Sequence, residues 1–180
     1  MSNTMSISYI IPTKGRDTLG RTLTSIERWN DDEIIVEVDN PPSGRWGNDQ
    51  RNSGMKRAKG DFLAFIDDDD YYTEGHREIM EKAMKENPDK PHLFRIMYPN
   101  GRVLWGKKEV EPGNMSTQMI LVPNKPGMLH HWQDGRNMAD YIFIANWKWE
   151  GIVWHEDIIC NMGHDDEESI TYRSISNTLY

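Results

Sequence analysis

Short apolar runs alternate with amphipathic segments along the first half of the chain. The runs Ile7–Ile11, Glu33–Val38 and Phe62–Ile66 have the length and composition of buried β-strands. Apolar residues at helical spacing from Leu19 onward predict a helix after the first run, and residues 49–58 predict another after the second. A strand followed by a helix and another strand is typical of parallel strands joined by right-handed crossovers. This half is therefore expected to be α/β.

The second half has a different pattern. Residues 73–87 predict a helix, and two strands, His92–Met97 and 102–105, flank an Asn-Gly turn typical of an antiparallel hairpin. Further strands are expected at 119–122 and 152–160 and a helix at 138–147. We therefore expect one α/β domain over residues 1–180, with a mostly parallel central sheet, helices on both faces, a small antiparallel extension and a polar tail at 169–180.

Composition excludes several classes of protein. The 180 residues carry a net charge of -8, which argues against broad electrostatic docking on nucleic acid or an anionic membrane. The single cysteine, Cys160, cannot form an internal disulfide and is expected to be a packed strand residue in a reducing compartment. No stretch approaches the ~20 apolar residues of a transmembrane helix. We therefore expect a cytoplasmic protein with no transmembrane segment.

Four aspartates, Asp67–Asp70, follow the strand Phe62–Ile66 directly. In open parallel sheets the carboxyl ends of the strands form the edge where ligands bind. Adjacent carboxylates repel one another unless positive charge lies near them, and their oxygens suit the hard ions Mg²⁺ and Mn²⁺, which usually bind together with phosphates. The run therefore predicts a metal–phosphate site, and the alternative is a solvated acidic loop.

Two other loops should meet this run at the same edge. The turn Pro12–Arg16 carries two cations, Lys14 and Arg16, and Pro12 is expected to end the first strand; the second strand ends in Asp39. Cations and backbone N–H groups would meet phosphate, while the acids would hold a metal and sugar or base hydroxyls. Taken singly, the two cations could be surface charges at a helix entry, and Asp39 could simply form a turn.

Four segments, in order and at the right spacing, resemble the family 2 glycosyltransferases with the GT-A fold. They are Ile7–Arg16, Glu33–Asp39, Arg51–Asp61 and Phe65–Asp70, the third matching an Arg-Asn-x-Gly-x-x-x-Ala-x-Gly pattern and the fourth a Phe-Leu-Asp-x-Asp-Asp block. The resemblance covers roughly residues 5–75. It implies a nucleotide-sugar-binding half there and an acceptor-binding half at about 92–168.

The resemblance also implies roles for individual residues. Residues flanking or contacting the donor would be Pro12, Thr13, Arg16, Asp39 (on the base), Arg51, Asp67 (on the nucleoside) and Asp68. Asp69 would be a direct metal ligand, although the register among Asp68, Asp69 and Asp70 stays open. Asn40–Gly44 replaces the family's usual Asp-Gly-Ser, which leaves the identity of the base open.

Candidates in the second half rest on the same resemblance. Asp140 occupies the place of the catalytic base, with helix capping as the alternative role. His164 is the predicted metal ligand after the last strand, with His155 as second choice. His130, His131 and Trp132 could form a lid on the acceptor side, and Trp132 is expected either to stack on a sugar or to pack in the core.

The implied activity is that of a metal-dependent, inverting glycosyltransferase, a hexosyl- or pentosyltransferase using Mn²⁺ or Mg²⁺. Its donor would be a UDP- or GDP-sugar and its acceptor the hydroxyl of a saccharide, a small molecule or a modified nucleic-acid base. Two alternatives remain, a nucleotidyltransferase and a nucleotide-sugar-binding protein without catalysis. The sequence leaves donor sugar, acceptor and oligomeric state undetermined.

Overall fold

The computed structural model describes residues 4–29, 31–133, 138–147 and 151–164. In these ranges the strands are β1 (Ile7–Thr13), β2 (Glu33–Val38), β3 (Phe62–Phe65), β4 (Tyr71–Tyr72), β5 (His92–Met97), β6 (Val103–Leu104), β7 (Ile120–Pro123) and β8 (Val153–Asn161). The helices are α1 (Leu19–Ser25), α2 (Asn48–Arg57), α3 (His76–Glu86) and α4 (Ala139–Ala145), with a 3-10 helix at Thr117–Met119. Residues 134–137 and the predicted tail 169–180 lie outside the described residues.

The strands form one mixed sheet in the order β2-β1-β3-β7-β5-β8-β4, with β6 paired to β5. β1 runs parallel to β2 and β3, as predicted, and β5 runs parallel to β8. β7 lies antiparallel between β3 and β5, and β4 and β6 are antiparallel to their partners. The sheet is therefore mixed rather than mostly parallel, because β7 enters its centre in the reverse direction.

β1 extends two residues beyond Ile11, where the sequence predicted its end. Pro12 lies opposite Glu37 and Thr13 opposite Val38 in the pairing with β2, while the pairing with β3 already ends at Ile10. The carbonyl of Ile10 faces β3, so Pro12, two residues later, faces that same side beyond the last pair. Its missing N–H therefore removes no hydrogen bond between β1 and β3. The strand can continue and place Thr13 at the edge of the sheet.

Helix α2 lies unusually close to the sheet. It packs against β1 and β2, and a Cβ placed on Gly54 would lie 2.6 Å from Cγ2 of Ile10. Real Cβ atoms are not found at such separations, so only glycine fits there. This close approach brings the buried Arg51, one turn earlier in α2, to the end of β3.

The sheet is strongly curled. β1 and β4 are five strand spacings apart in the strand order, about 24 Å if the sheet were flat. The rings of Tyr9 on β1 and Tyr72 on β4 nevertheless lie 5.6 Å apart between centroids, edge to face. β4, which the sequence did not predict, pairs through Tyr72 with Cys160 of β8, and Cys160 is buried as expected. The curl therefore brings the end of β8 back to the aspartates that link β3 and β4.

In the described ranges no helix combines the length and the apolar character needed to cross a membrane.

Candidate active site

The ends of β1, β2 and β3 meet at one edge of the sheet, as the sequence predicted. The hydroxyl of Thr13 donates a 2.6 Å hydrogen bond to Oδ2 of Asp68, and the backbone N–H of Lys14 reaches the same oxygen at 3.3 Å. The backbone N–H of Asp39 donates to the carbonyl of Thr13 at 2.8 Å. All three candidate loops therefore belong to a single site.

Asp67 is held by donors from both halves of the chain. Its Oδ1 pairs with the guanidinium of Arg51, and its Oδ2 accepts a 3.1 Å hydrogen bond from Nε2 of Gln118. Arg51 is itself buried and also donates to the carbonyl of Trp46 at 2.9 Å. Because Arg51 has little freedom, the carboxylate of Asp67 has a fixed direction.

Thr13 and Asp68, both predicted to contact substrate, are buried and hydrogen-bonded to each other. Pro12 is also buried, and Gly47 lies directly against its ring. The structure thus gives these three residues structural contacts that join the end of β1 to the aspartate run.

Asp69, Asp70 and His164 form a group that could hold a metal ion. One potential ligand atom from each lies within 4.8 Å of the others, and Nδ1 of His164 is 3.6 Å from Oδ2 of Asp69. Two carboxylates and an imidazole are donors that Mn²⁺ accepts, and the oxygens suit Mg²⁺, so the donor set fits a divalent ion. The guanidinium of the half-exposed Arg16 pairs with that same Oδ2 of Asp69 and lies 3.4 Å from Oδ1 of Asp68.

Asp70 is the innermost of the four acids. Its Oδ1 accepts a 2.8 Å hydrogen bond from the backbone N–H of Gly163, and its Oδ2 accepts one from Gln118. Burial raises the pKa of the Asp70 carboxyl well above its usual range; the charge of Asp67 acts in the same direction, whereas these two hydrogen bonds oppose it. A Cβ on Gly163 would overlap the carbonyl oxygen of Asp69, so only glycine can bring its N–H this close.

Asp39 lies at the rim of the site. It is buried, and its carboxylate accepts hydrogen bonds from the backbone N–H of Ser43 at 3.0 Å and from the Ser43 hydroxyl at 3.1 Å. These bonds close the loop Asn40–Gly44. They also use one lone pair on each carboxylate oxygen and leave others for a ligand.

Asp140 is the second residue of α4, and Met138 occupies the N-cap position. Its carboxylate accepts a 2.7 Å hydrogen bond from the backbone N–H of Tyr141. Burial raises the pKa of the Asp140 carboxyl to about 7; the charge of Asp67 acts in the same direction, whereas the Tyr141 bond and the charge of Arg51 oppose it. Asp140 therefore lies within electrostatic range of Arg51 and Asp67, and a carboxyl with a pKa of about 7 can exchange a proton near neutral pH.

Segment 131–133 is fixed to α2 by asparagine side chains. Asn52 accepts from the backbone N–H of Trp132 at 2.8 Å and donates to its carbonyl at 2.9 Å, and Asn48 donates to the carbonyl of Gln133 at 3.1 Å. Trp132 is 1% exposed, and its ring stacks on Phe143 with centroids 4.2 Å apart. The core role of Trp132 is the one observed, because no face of this ring is open to a sugar.

Trp132 nevertheless contributes to the site indirectly. The guanidinium of Arg51 lies over its ring, 5.1 Å from the centroid. The aromatic face thus supports the cation that pairs with Asp67.

His155, the second choice as metal ligand, lies elsewhere. Its Nε2 is 3.0 Å from Nδ1 of the buried His92, and its ring stacks on Phe94. Burial, together with the neighbouring imidazole, lowers the pKa of His92 to about 4. His155 is therefore a packing partner of β5, because the register of β8 points it away from the aspartates.

Sequence reasoning missed Gln118 and Gly163 as parts of the site and assigned Asp70 no role. Asp70 could have been named as a metal ligand, because the sequence left open which of Asp68, Asp69 and Asp70 binds the ion. Gln118 and Gly163 carry no charge and enter the site only because β7 pairs with β3 and the sheet curls. The one sequence feature that could have indicated Gly163 is its position directly before the candidate metal ligand His164.

Known proteins are similar to this chain in sequence and in fold. An uncharacterized glycosyltransferase from Haemophilus influenzae is 30% identical over 82 residues, covering 44% of this chain and 28% of that protein. The crystal structure of S. aureus TarS 1-349 has a TM-score of 0.68 at 17% identity, covering 88% of this chain and 60% of that one. TarS 1-349 in complex with UDP gives 0.67 at 15% identity, covering 87% and 60%. The chain spans less than two thirds of the length of these relatives.

The structural similarity confirms the predicted GT-A fold. The family model described as glycosyl transferase family 2 matches residues 37–141, which is more than half of the sequence. This range contains Asp39, Arg51, the four aspartates and Asp140. The chain belongs to glycosyl transferase family 2.

Proposed function

We propose that this chain transfers a sugar from a nucleotide diphosphate-sugar to an acceptor hydroxyl, with a divalent cation and with inversion at the anomeric carbon. The observation that carries the proposal is the meeting of four features at one sheet edge: the Asp39 loop, the Arg51–Asp67 ion pair, the Asp69–Asp70–His164 group and Asp140. Membership of glycosyl transferase family 2 supports this reaction class.

The donor end of the proposed site lies between the Asp39 loop and the aspartate run. Asp39 retains acceptor lone pairs for the N–H groups of a base, and Asp67 retains acceptor capacity for ribose hydroxyls. Arg16 would be the cation that meets the diphosphate, because its half-exposed side chain lies beside Asp69. TarS 1-349 has been crystallised with UDP and with UDP-GlcNAc, which favours a UDP-sugar as the first donor to test.

The cation would be Mn²⁺ or Mg²⁺, held by Asp69, Asp70 and His164. When bound there, it would stabilise the negative charge that develops on the diphosphate leaving group. Asp67 and Asp68 are already engaged by Arg51 and Thr13, so they orient the run rather than complete the ligand set.

Asp140 would act as the base. It takes the proton from the acceptor hydroxyl while that oxygen attacks the anomeric carbon, the bond from that carbon to the phosphate oxygen breaks, and the nucleoside diphosphate leaves with the bonding electron pair. Because attack and departure occur on opposite faces, a single displacement inverts the configuration. The acceptor would approach from the side on which Asp140 lies.

Two measurements test the proposal in sequence. A thermal-shift screen of UDP and GDP, each with and without Mn²⁺, should raise the melting temperature only when nucleotide and ion are both present. Sugar release or transfer from labelled UDP-sugars is then measured for the wild type and for Asp140→Asn. Binding without any turnover in the wild type would leave a nucleotide-sugar-binding protein, and no stabilisation by any pair would remove the donor site altogether.

A further inference from the structure

Gln118 connects the first and the last carboxylate of the aspartate run. It lies in the 3-10 helix just before β7 and is 2% exposed. Its Nε2 donates to Oδ2 of Asp67 at 3.1 Å and also to Oδ2 of Asp70. One amide nitrogen thus bridges two acids that are three residues apart and that face different partners on their other oxygens.

The orientation of this amide follows from its contacts. A side-chain amide has two N–H donors on nitrogen and acceptor lone pairs on oxygen, and ionised carboxylates can only accept. The hydroxyl of Ser116, itself buried, donates to Oε1 of Gln118. Both donors are therefore committed to the aspartates, and Ser116 holds the other end of the amide.

The neutrality of this bridge matters. Two other contacts of the aspartate run are guanidinium groups, Arg51 on Asp67 and Arg16 on Asp69, and each of them neutralises negative charge. An amide donates hydrogen bonds without adding a positive charge, so it fixes the carboxylates while leaving their charge to attract a cation. A lysine or arginine in the same place would compete with a divalent ion for the site.

We propose that Gln118 is a positioning residue of the cation–diphosphate site, holding Asp67 and Asp70 in the mutual arrangement that a divalent ion and a nucleotide require. This inference rests on the proposed function, because it concerns the same site. It differs from a role in core packing alone, in which the amide would only satisfy buried groups and ligand affinity would not depend on it.

The test compares Gln118→Met with the wild type by isothermal titration of MnCl₂ in the presence of UDP, below the melting temperature of both proteins. Met keeps the length of the side chain but has no donor, so the two carboxylates separate and Mn²⁺ affinity is expected to fall about tenfold. The midpoint of Mn²⁺ activation should rise by the same factor, while kcat at saturating Mn²⁺ changes less.

Gln50→Met provides a matched control. Gln50 is half-buried on α2, and within the described part of the chain its side-chain oxygen has no hydrogen-bond partner. The same chemical change at this position should leave Mn²⁺ affinity unaltered. Ser116→Ala provides a milder variant, which frees the amide to rotate without touching an aspartate and should weaken Mn²⁺ binding two- to threefold.

Each result decides something. Wild-type Mn²⁺ affinity in Gln118→Met overturns the inference even if its melting temperature without ligand is lowered. If Gln118→Met does not fold, Ser116→Ala decides, and unchanged affinity in that variant overturns the inference. If the wild type itself binds no Mn²⁺ with UDP, the proposed function fails first and the inference fails with it.

Discussion

The aspartate run is held by two regions of different chemistry. The side built from the β1 turn and α2 supplies charge, since Arg16 and Arg51 pair with Asp69 and Asp67. The side built from the 3-10 helix and the end of β8 supplies neutral donors, the amide of Gln118 and the backbone N–H of Gly163. Arg16 is half exposed and can move when a ligand arrives, whereas the buried Gln118 and a backbone N–H are more restrained. The comparison therefore separates a charged side, whose exposed cation Arg16 can respond to ligand, from a neutral side that only fixes the geometry.

The largest effect is expected for Asp69→Asn. An amide in this position offers a neutral oxygen instead of a carboxylate, so the charge that holds the cation is lost and turnover should fall about 10³-fold. Steady-state transfer from a UDP-sugar, with Mn²⁺ titrated, measures it. Asp89→Asn removes an acid that is 84% exposed and pairs with Lys125, and it should have no effect on transfer. Equal activity of the two variants would show that the cluster is an ordinary acidic surface.

Asp140→Asn is expected to lower kcat about 100-fold, because it removes the base but leaves the donor site intact. UDP affinity measured by titration calorimetry should stay within twofold of the wild type. A base with a pKa of about 7 is active only when deprotonated, so kcat/KM should rise with pH through about 7 and then level off. A flat profile between pH 6 and 8 would contradict this role.

Gly163→Ala tests the neutral side of the comparison. The new methyl group would overlap the carbonyl oxygen of Asp69, so the end of β8 must move away and Asp70 loses its backbone donor. We expect a loss of roughly 1–3 kcal/mol in unfolding free energy, measured by urea denaturation, together with weaker Mn²⁺ binding. Gly20→Ala in α1 has open space around the new methyl and should be neutral or slightly stabilising. Similar losses in both variants would indicate a general intolerance of alanine.

Arg16→Gln should give the smallest effect and the opposite sign. Arg16 pairs with Oδ2 of Asp69, the oxygen that faces His164 in the candidate metal group, so removing its charge should tighten Mn²⁺ binding in the absence of nucleotide about threefold. Binding of UDP should weaken, because a cation facing the diphosphate is lost. Arg57→Gln, which removes a 60% exposed cation paired with Glu37, should change neither affinity. Weaker Mn²⁺ binding in Arg16→Gln would mean that this cation stabilises the site instead of competing for it.

The first region could be predicted from the sequence because its signals are local. A buried run followed at once by acids, a strand ending in Asp39 and an Arg-Asn-x-Gly segment on a helix each place their residues by the geometry of one element. The strands Glu33–Val38 and His92–Met97 were predicted with their observed bounds for the same reason.

The second region could not be predicted in this way, because its residues reach the site through non-local pairing. Gln118 depends on β7 running antiparallel beside β3, and Gly163 on β8 carrying the two-residue strand β4. In the sequence, Gln118 and Gly163 cannot be told apart from the glutamines and glycines that only stabilise loops. The choice between the two roles predicted for Trp132 was open for a related reason. The burial of an aromatic ring depends on what packs against it, here Phe143.

The curl of the sheet has a consequence for how ligand binding would be felt by the rest of the molecule. The aspartate run connects the central strand β3 to β4, and the backbone of β4 pairs with β8 at Tyr72 and Cys160. A ligand bound to this turn would also restrain β4 and its pairing with β8, because β4 begins directly after Asp70. Amide hydrogen exchange at Tyr72 and Cys160 should therefore slow when UDP and Mn²⁺ bind, which makes this strand pair a reporter of occupancy.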